Sequence, residues 1–243
     1  MKIFITGSKG NLGTMICDPL RKQGHEVVDY DLVDGDDILD FLNLQEKMEG
    51  ADVVIHAAAI PHPNMGHISD YIEVNVLGTL NVLEAAFLNN VPRFIYISST
   101  AYYQLNTRGM VGPDQTPIDE DTRFRVVGKL CSYDTSKRMA EELCNFYFSD
   151  TDMSGVILRF GPTNSIEERD KFLIKGVRDD TWRRRSFWGV STPDICKDAI
   201  IEAVQKDMQG AYHIIDQTDL PVDGHPPSYW SNDKWRRAVD GYG

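Results

Sequence analysis

Tyr133 and Lys137 stand four residues apart, a spacing that puts two side chains on one face of a helix. A phenol ordinarily titrates near pH ~10, so it moves protons at neutral pH only where a positive charge favours its phenolate. An ammonium one helical turn away is such a charge. Ser99 lies in Ile97-Ser98-Ser99-Thr100, which closes an apolar run. A hydroxyl there could hold a substrate oxygen against the phenol, and Ser98 or Thr100 could take the same part. A tyrosine and lysine at this spacing are also a common accident of surface helices. Their weight therefore depends on what surrounds them.

The chain begins with a β-rich run, Lys2-Ile3-Phe4-Ile5-Thr6, followed by Gly7-Ser8-Lys9-Gly10-Asn11-Leu12-Gly13. Glycines at this spacing between a strand and a helix form a phosphate cradle. Gly7 permits a tight turn, Gly10 lets the backbone approach a pyrophosphate, and Gly13 lets the helix pack close to the sheet. The N–H groups around Asn11, Leu12 and Gly13 open the helix and face the anion. Asp31 ends the second strand, 18 residues after Gly13. A carboxylate there accepts hydrogen bonds from ribose hydroxyls and repels a 2′-phosphate, so the expected cofactor is NAD rather than NADP. Asp37 and Ile38 could flank the adenine. His56-Ala57-Ala58-Ala59 follows the third strand, and its small residues let the chain pass near the dinucleotide; His56 itself reads as a packed residue. Asn75, polar within an apolar helix, needs a partner and either braces the backbone near the site or bonds the helix to the sheet.

The elements that must hold these residues alternate. Strands are expected at 2–6, 26–31, 51–56, 93–99 and 155–159, and helices at 12–23, 44–48, 71–89 and 133–148, with a bend at Pro19. Val74, Leu77, Leu80, Val82, Leu83 and Ala86 are the expected core residues of the third helix. Alternation of this kind predicts an α/β fold, a Rossmann-type doubly wound parallel sheet. Beyond Gly161 a helix over 193–205 and a strand over 211–215 are expected. Residues 1–161 thus read as an NAD-binding core. Residues 162–243 read as a small C-terminal substrate-binding lobe whose elements complete that core, or as part of one integrated domain.

The 243 residues carry 37 acidic and 25 basic side chains, a net charge of -12. That balance opposes nucleic-acid binding, which needs a basic face. Arg183-Arg184-Arg185 is the one basic cluster, either a solvated turn or an anion site. Four separated cysteines suit reduced thiols in the cytoplasm. No run approaches the roughly 18 apolar residues of a membrane span. His62 and His67 share a loop without further ligands at metal-binding spacing, so no metal is expected; His62 is a candidate for the substrate mouth.

Together, Thr6-Gly7-x-x-Gly10-x-x-Gly13, Asp31, His56-Ala57-Ala58-Ala59, Asn75-Val76-x-Gly78-Thr79, Ser98-Ser99, Tyr133-x-x-x-Lys137 and Leu158-Arg159-Phe160-Gly161-Pro162 resemble the extended short-chain dehydrogenase/reductases, the NAD-dependent epimerase/dehydratase family. The resemblance runs from Lys2 to about Pro162 and more loosely from Pro193 to Asp216. It implies that Tyr133 is the acid/base, that Lys137 binds the nicotinamide ribose, that Ser99 positions the substrate and that the backbone at Phe160 approaches the nicotinamide. It also implies a homodimer. Nucleotide-sugar members often carry an asparagine shortly after the Leu-Arg strand; here Phe160-Gly161-Pro162 follows at once. Thr163 and Asn164, just beyond, are candidate substrate contacts. The region after Gly161 is also shorter than is common in the family. This pattern looks more like the uronate dehydrogenases, to whose tail Tyr229-Trp230-Ser231-Asn232-Asp233-Lys234 is loosely similar. NAD-dependent hydride transfer at a hydroxyl or carbonyl of a sugar or sugar acid is the leading reading. A nucleotide-sugar epimerase or dehydratase with retained NAD, and an NAD(P)-sensing regulator without turnover, remain open.

Overall fold

Val53–His56 is buried along its whole length, and a strand of that kind must be covered on both faces. The computed structural model, which describes residues 1–103, 120, 131–163, 191–216 and 233–240, supplies that cover. Six strands, β1 (Lys2–Thr6), β2 (Glu26–Tyr30), β3 (Val53–His56), β4 (Arg93–Ser99), β5 (Ser154–Phe160) and β6 (Gly210–Ile214), form one sheet in the order β2-β1-β3-β4-β5-β6. Every pairing is parallel. Among the described residues the helices are α1 (Asn11–Lys22), α2 (Phe41–Met48), α3 (Ile68–Tyr71), α4 (Gly78–Leu88), α5 (Ser132–Asp150), α6 (Pro193–Gln205) and α7 (Asp233–Asp240).

Strand residues alternate between two cores, as the period of two requires. Ile3, Ile5, Ile55, Ile95, Ile97 and Leu158 meet Ile16 and Leu20 of α1, Ala199, Ile200 and Ala203 of α6, and Trp235. Phe4, Val54, Phe94, Tyr96 and Ile157 meet Leu44 of α2, Leu83 and Ala86 of α4, and Ala140 and Cys144 of α5. Each fully buried aliphatic or aromatic side chain contributes about 1.5–3 kcal/mol. The doubly wound arrangement is the one expected.

Boundaries shift in places. α1 runs unbroken through Pro19. α2 starts at Phe41, three residues earlier than the spacing suggests, because the Asp40 carboxylate accepts a hydrogen bond from the Asn43 N–H at 3.2 Å. The third expected helix starts at Ile68 and contains a π-helical stretch, Ile72–Leu77, between α3 and α4. A π turn carries extra residues and breaks the 3.6 phase. That explains one miss in the core: Leu77 is 46% exposed while Asn75 is buried. By length and composition the joined helix Ile68–Leu88 could cross a membrane, although Ser69, Asp70, Glu73, Asn75 and Asn81 interrupt its apolar residues. Val82, Leu83, Ala85 and Ala86 bury one side of it against the sheet.

Candidate active site

The chain passes from β1 to β2 on one side and returns to β3 on the other. The carboxyl ends of β1 and β3 therefore flank the switch point, where ligands bind in open α/β sheets. Gly7 follows β1 with φ +69°, and a Cβ on it would lie 2.6 Å from the Ala58 nitrogen, just beyond β3. A Cβ on Gly13 would lie 2.2 Å from the Gly7 carbonyl oxygen. At Gly10 the nearest atom would be that same oxygen, at 3.2 Å. Gly10 is also the N-cap of α1 and carries no capping side chain, so the leading N–H groups at Asn11, Leu12 and Gly13 are left for an anion.

Asp31 is 9% exposed. Its carboxylate accepts from the Lys9 N–H at 2.9 Å and the Val33 N–H at 3.0 Å, which pins the glycine loop to the turn after β2. Each oxygen retains a further acceptor site for a ribose hydroxyl. Lys9 also pairs with Asp34 across this gap. A tight loop, an uncapped helix start and a carboxylate at the end of β2 fit a dinucleotide. Gly13→Ala is expected to destabilise the protein itself, because its clash is with backbone. Gly10→Ala is expected to leave the urea midpoint near the parent value while weakening NAD binding by about tenfold or more, read by calorimetric titration.

A hydrogen-bonded chain connects this loop to the second half of the site. Thr79 donates to the Asn75 carbonyl at 2.6 Å, so its oxygen accepts from His56 Nε2 at 2.9 Å. His56 Nδ1 is then an acceptor, from Thr6 Oγ1 at 2.7 Å. Burial holds His56 far down, to about 3, with the Lys137 charge adding to the effect. His56 is a neutral structural link, as the sequence suggests. The Asn75 side chain accepts from the Ile60 N–H at 2.7 Å and donates to the Ile60 carbonyl and to Ser136 Oγ. Ser136 in turn donates to the Tyr133 carbonyl at 2.8 Å. Asn75 thus braces the loop after β3 against the first turn of α5.

Tyr133 and Lys137 both lie on α5. Tyr133 is half-buried, and burial pushes its phenol up to about 12, partly offset by a hydrogen bond with the Ser99 side chain. Lys137 is buried. It donates to the Ile97 carbonyl at 2.9 Å and lies 3.5 Å from the Tyr96 hydroxyl. Burial lowers it to about 8, with Glu141 opposing. Of the three hydroxyls considered from sequence, Ser99 is the half-buried one that meets Tyr133. Ser98 Oγ turns to Glu141 at 2.5 Å, and Thr100 is buried. Tyr71, whose hydroxyl donates to the His62 carbonyl at 2.6 Å and accepts from the Met65 N–H at 2.9 Å, ties down the exposed loop that carries His62.

The remaining candidates lie around this frame. Ala57, Ala58 and Ala59 are half-buried beside Gly7. Asp37 caps Leu39, and Ile38 is buried against Gly78, where a Cβ would lie 2.4 Å from its Cδ1. Phe160 is buried at the end of β5, and Thr163 Oγ1 lies 4.0 Å from Cys196 Sγ. Asn164, Arg183 to Arg185 and Tyr229 to Asn232 lie outside the described residues; Lys234, at the end of the aromatic run, donates to the Ala211 carbonyl at 2.8 Å. Among the described residues no cluster of His, Cys, Asp or Glu could hold a metal.

A buried ionic cluster behind Ser99 was not foreseen. Glu141, fully buried, accepts from Arg159 Nε at 3.1 Å, Arg159 Nη2 at 2.7 Å and Ser98 Oγ. The Arg159 guanidinium stacks 3.9 Å from the Tyr102 ring and donates to the Tyr103 hydroxyl, which meets His213 Nε2 at 2.7 Å. The available signals were Glu141 four residues after Lys137 and a charged Arg159 inside the apolar strand Leu158-Arg159-Phe160.

The fold and the site together define a dinucleotide-binding α/β protein with a tyrosine–lysine–serine centre. The sequence model of the NAD dependent epimerase/dehydratase family matches residues 3–178. An L-arabinose 1-dehydrogenase (NAD(P)(+)) of Haloferax volcanii is 30% identical over 222 residues, 84% of this chain and 82% of that protein. A uronate dehydrogenase of Pseudomonas syringae pv. tomato is 22% identical over 80% of this chain and 71% of its own length. The structure of UDP-glucuronic acid 4-epimerase from Bacillus cereus, solved with UDP-glucuronic acid and NAD, has the same fold, with a TM-score of 0.74, 21% identity and coverage of 99% of this chain and 93% of that one. The chain belongs to the NAD-dependent epimerase/dehydratase family, and so to a family of NAD-dependent enzymes.

Proposed function

We propose that the protein is an NAD-dependent dehydrogenase that oxidises a hydroxyl of a free sugar or sugar acid. The observation that carries this is the Tyr133 phenol, hydrogen-bonded to Ser99 at the carboxyl edge of the sheet, on the helix that also presents the buried Lys137. Bound NAD supplies a nicotinamide that takes up a hydride. Gly7, Gly10 and Gly13 with the start of α1 hold the pyrophosphate, and Asp31 holds the adenosine ribose. Ser99 orients the substrate oxygen, and Tyr133 removes its proton. Lys137, as an ammonium, favours the Tyr133 phenolate and binds the nicotinamide ribose. Asn75 acts through the Ile60 loop and Ser136. Thr163 and Asn164, just beyond β5 in sequence, are the candidate substrate contacts.

The free-sugar reading is supported by the reciprocal coverage with the arabinose dehydrogenase. The decisive assay offers NAD with L-arabinose, galacturonate and glucuronate, and separately with UDP-glucose and UDP-glucuronate. NADH formation with a free sugar is expected. Turnover of a nucleotide sugar without net NADH would reverse the choice in favour of an epimerase with retained cofactor. A homodimer belongs to the same proposal: Leu77, Phe87 and Leu88 at α4, and Met139 and Phe146 on α5, are exposed apolar residues, a surface that suits a second copy. The reading places the enzyme in the cytoplasm, where free thiols such as Cys17, Cys131, Cys144 and Cys196 persist, with no membrane or nucleic-acid partner.

A further inference from the structure

Glu141 lies one helical turn beyond Lys137 and two beyond Tyr133 on α5. Its carboxylate is fully buried. Arg159 donates through Nε to both of its oxygens and through Nη2 to Oε2, and Ser98 donates to Oε1. Among the described residues its partners are the Arg159 guanidinium and the Ser98 hydroxyl, an arrangement that suits the ionised carboxylate. The two residues it grips are register partners at the ends of β4 and β5. Ser98 immediately precedes Ser99, and Arg159 immediately precedes Phe160. One carboxylate therefore joins both strand ends to the helix that bears the phenol and the ammonium.

Lys137 needs such support. Its ammonium is buried and donates to a neutral group, the Ile97 carbonyl. Around it stand Tyr96 on β4 and the neutral His56 on β3, with Cys144 and Glu141 on its own helix and Arg159 on β5 behind Glu141. Glu141 heads the groups that favour its charged form. We propose that Glu141 is a positioning residue of the active site: it fixes Ser99 against Tyr133 through Ser98 and Arg159, and it holds Lys137 in its ammonium form. The inference rests on the functional reading of Tyr133 and Lys137 given above.

The first readout is the pH dependence of unfolding, which needs no substrate. The Lys137 contribution is the difference between each protein and its Lys137→Met counterpart. Lys137 titrates near 8 when folded and 10.5 when unfolded. Between these values the unfolded chain binds more protons, so this contribution to stability rises with pH from about 8 upward. In Glu141→Gln the lysine loses a favourable charge, and the onset moves to lower pH by about one unit or more. Ser98→Ala breaks one tie without changing any charge, so it lowers kcat about tenfold and leaves the onset in place. Glu141→Asp keeps the charge on a shorter arm; it folds even where Glu141→Gln does not, and it lowers kcat with unchanged NAD affinity and an onset close to the parent's. An onset in Glu141→Gln equal to the parent's overturns the inference. So does an onset in Glu141→Asp displaced as far as one unit. If Tyr133→Phe retains full turnover, the functional reading itself has failed; if Tyr133→Phe is inactive while the onset stays put, the role of Glu141 alone has failed.

Discussion

Tyr133→Phe is expected to lower turnover by about 10²–10⁴-fold, the usual contribution of a positioned acid/base, while NAD affinity and the urea midpoint stay near those of the parent. The substitution removes one oxygen and keeps the ring, so little packing is lost, and Ser99 keeps the Ala101 N–H as a donor to its own oxygen at 3.1 Å. The direction of the pH dependence follows from the phenol. Without ligand it is pushed up to about 12 by burial, so the neutral form dominates near pH ~7. Oxidation needs the phenolate and is expected to accelerate as pH rises. Reduction uses the phenol proton and is expected to be favoured toward lower pH. On the role proposed for Lys137, the alkaline gain in oxidation should level off as Lys137, lowered by burial to about 8, loses its proton. Steady-state assays of both directions across pH check this, and full turnover by the phenylalanine variant would move proton transfer to another group.

The parts that sequence reading recovered share one property: local spacing determines them. A glycine loop between a strand and a helix, an aspartate at the end of β2 and a tyrosine four residues before a lysine are each written within one short segment. β3 was recognisable because a strand covered on both faces shows an unbroken apolar run. What escaped depends on contacts between distant segments. Asn75 could be seen to need a partner, but its bonds to Ile60 and Ser136 span 15 and 61 residues. The π turn that buries Asn75 and exposes Leu77 leaves no mark in a 3.6-residue pattern. Ser98 and Ser99 are adjacent hydroxyls, and only the direction of the strand end separates the one facing Glu141 from the one facing Tyr133. Arg159 stands out as a charge in an apolar strand, whereas Glu141 sits beside Glu142 with no local mark of its burial. Their pairing joins β5 to α5 across 18 residues, and nothing in either segment names the other.

That pair carries the largest expected effect on stability. Arg159 is 4% exposed and Glu141 is fully buried. Breaking a buried ion pair by removing one partner typically costs about 3–5 kcal/mol, because the remaining charge stays desolvated. Arg159→Met is expected to show a loss of that order in urea unfolding. The pH dependence of the loss identifies its cause. Burial already raises the Glu141 carboxyl above its ordinary value, with Arg159 and Ser98 pulling it down; without Arg159 it rises further. A carboxyl with a raised folded pKa leaves the native state binding more protons than the unfolded chain between the two values, so stability falls as pH rises through that window. The deficit of Arg159→Met should therefore be largest near neutrality and shrink on acidification toward the unfolded carboxyl's pKa. Glu141→Leu combined with Arg159→Met removes the stranded charge, and it should recover much of the loss at neutral pH while leaving Ser98 without its partner. If the deficit of the single variant is independent of pH, packing against Tyr102 and Tyr103 rather than the buried carboxylate accounts for the role of Arg159.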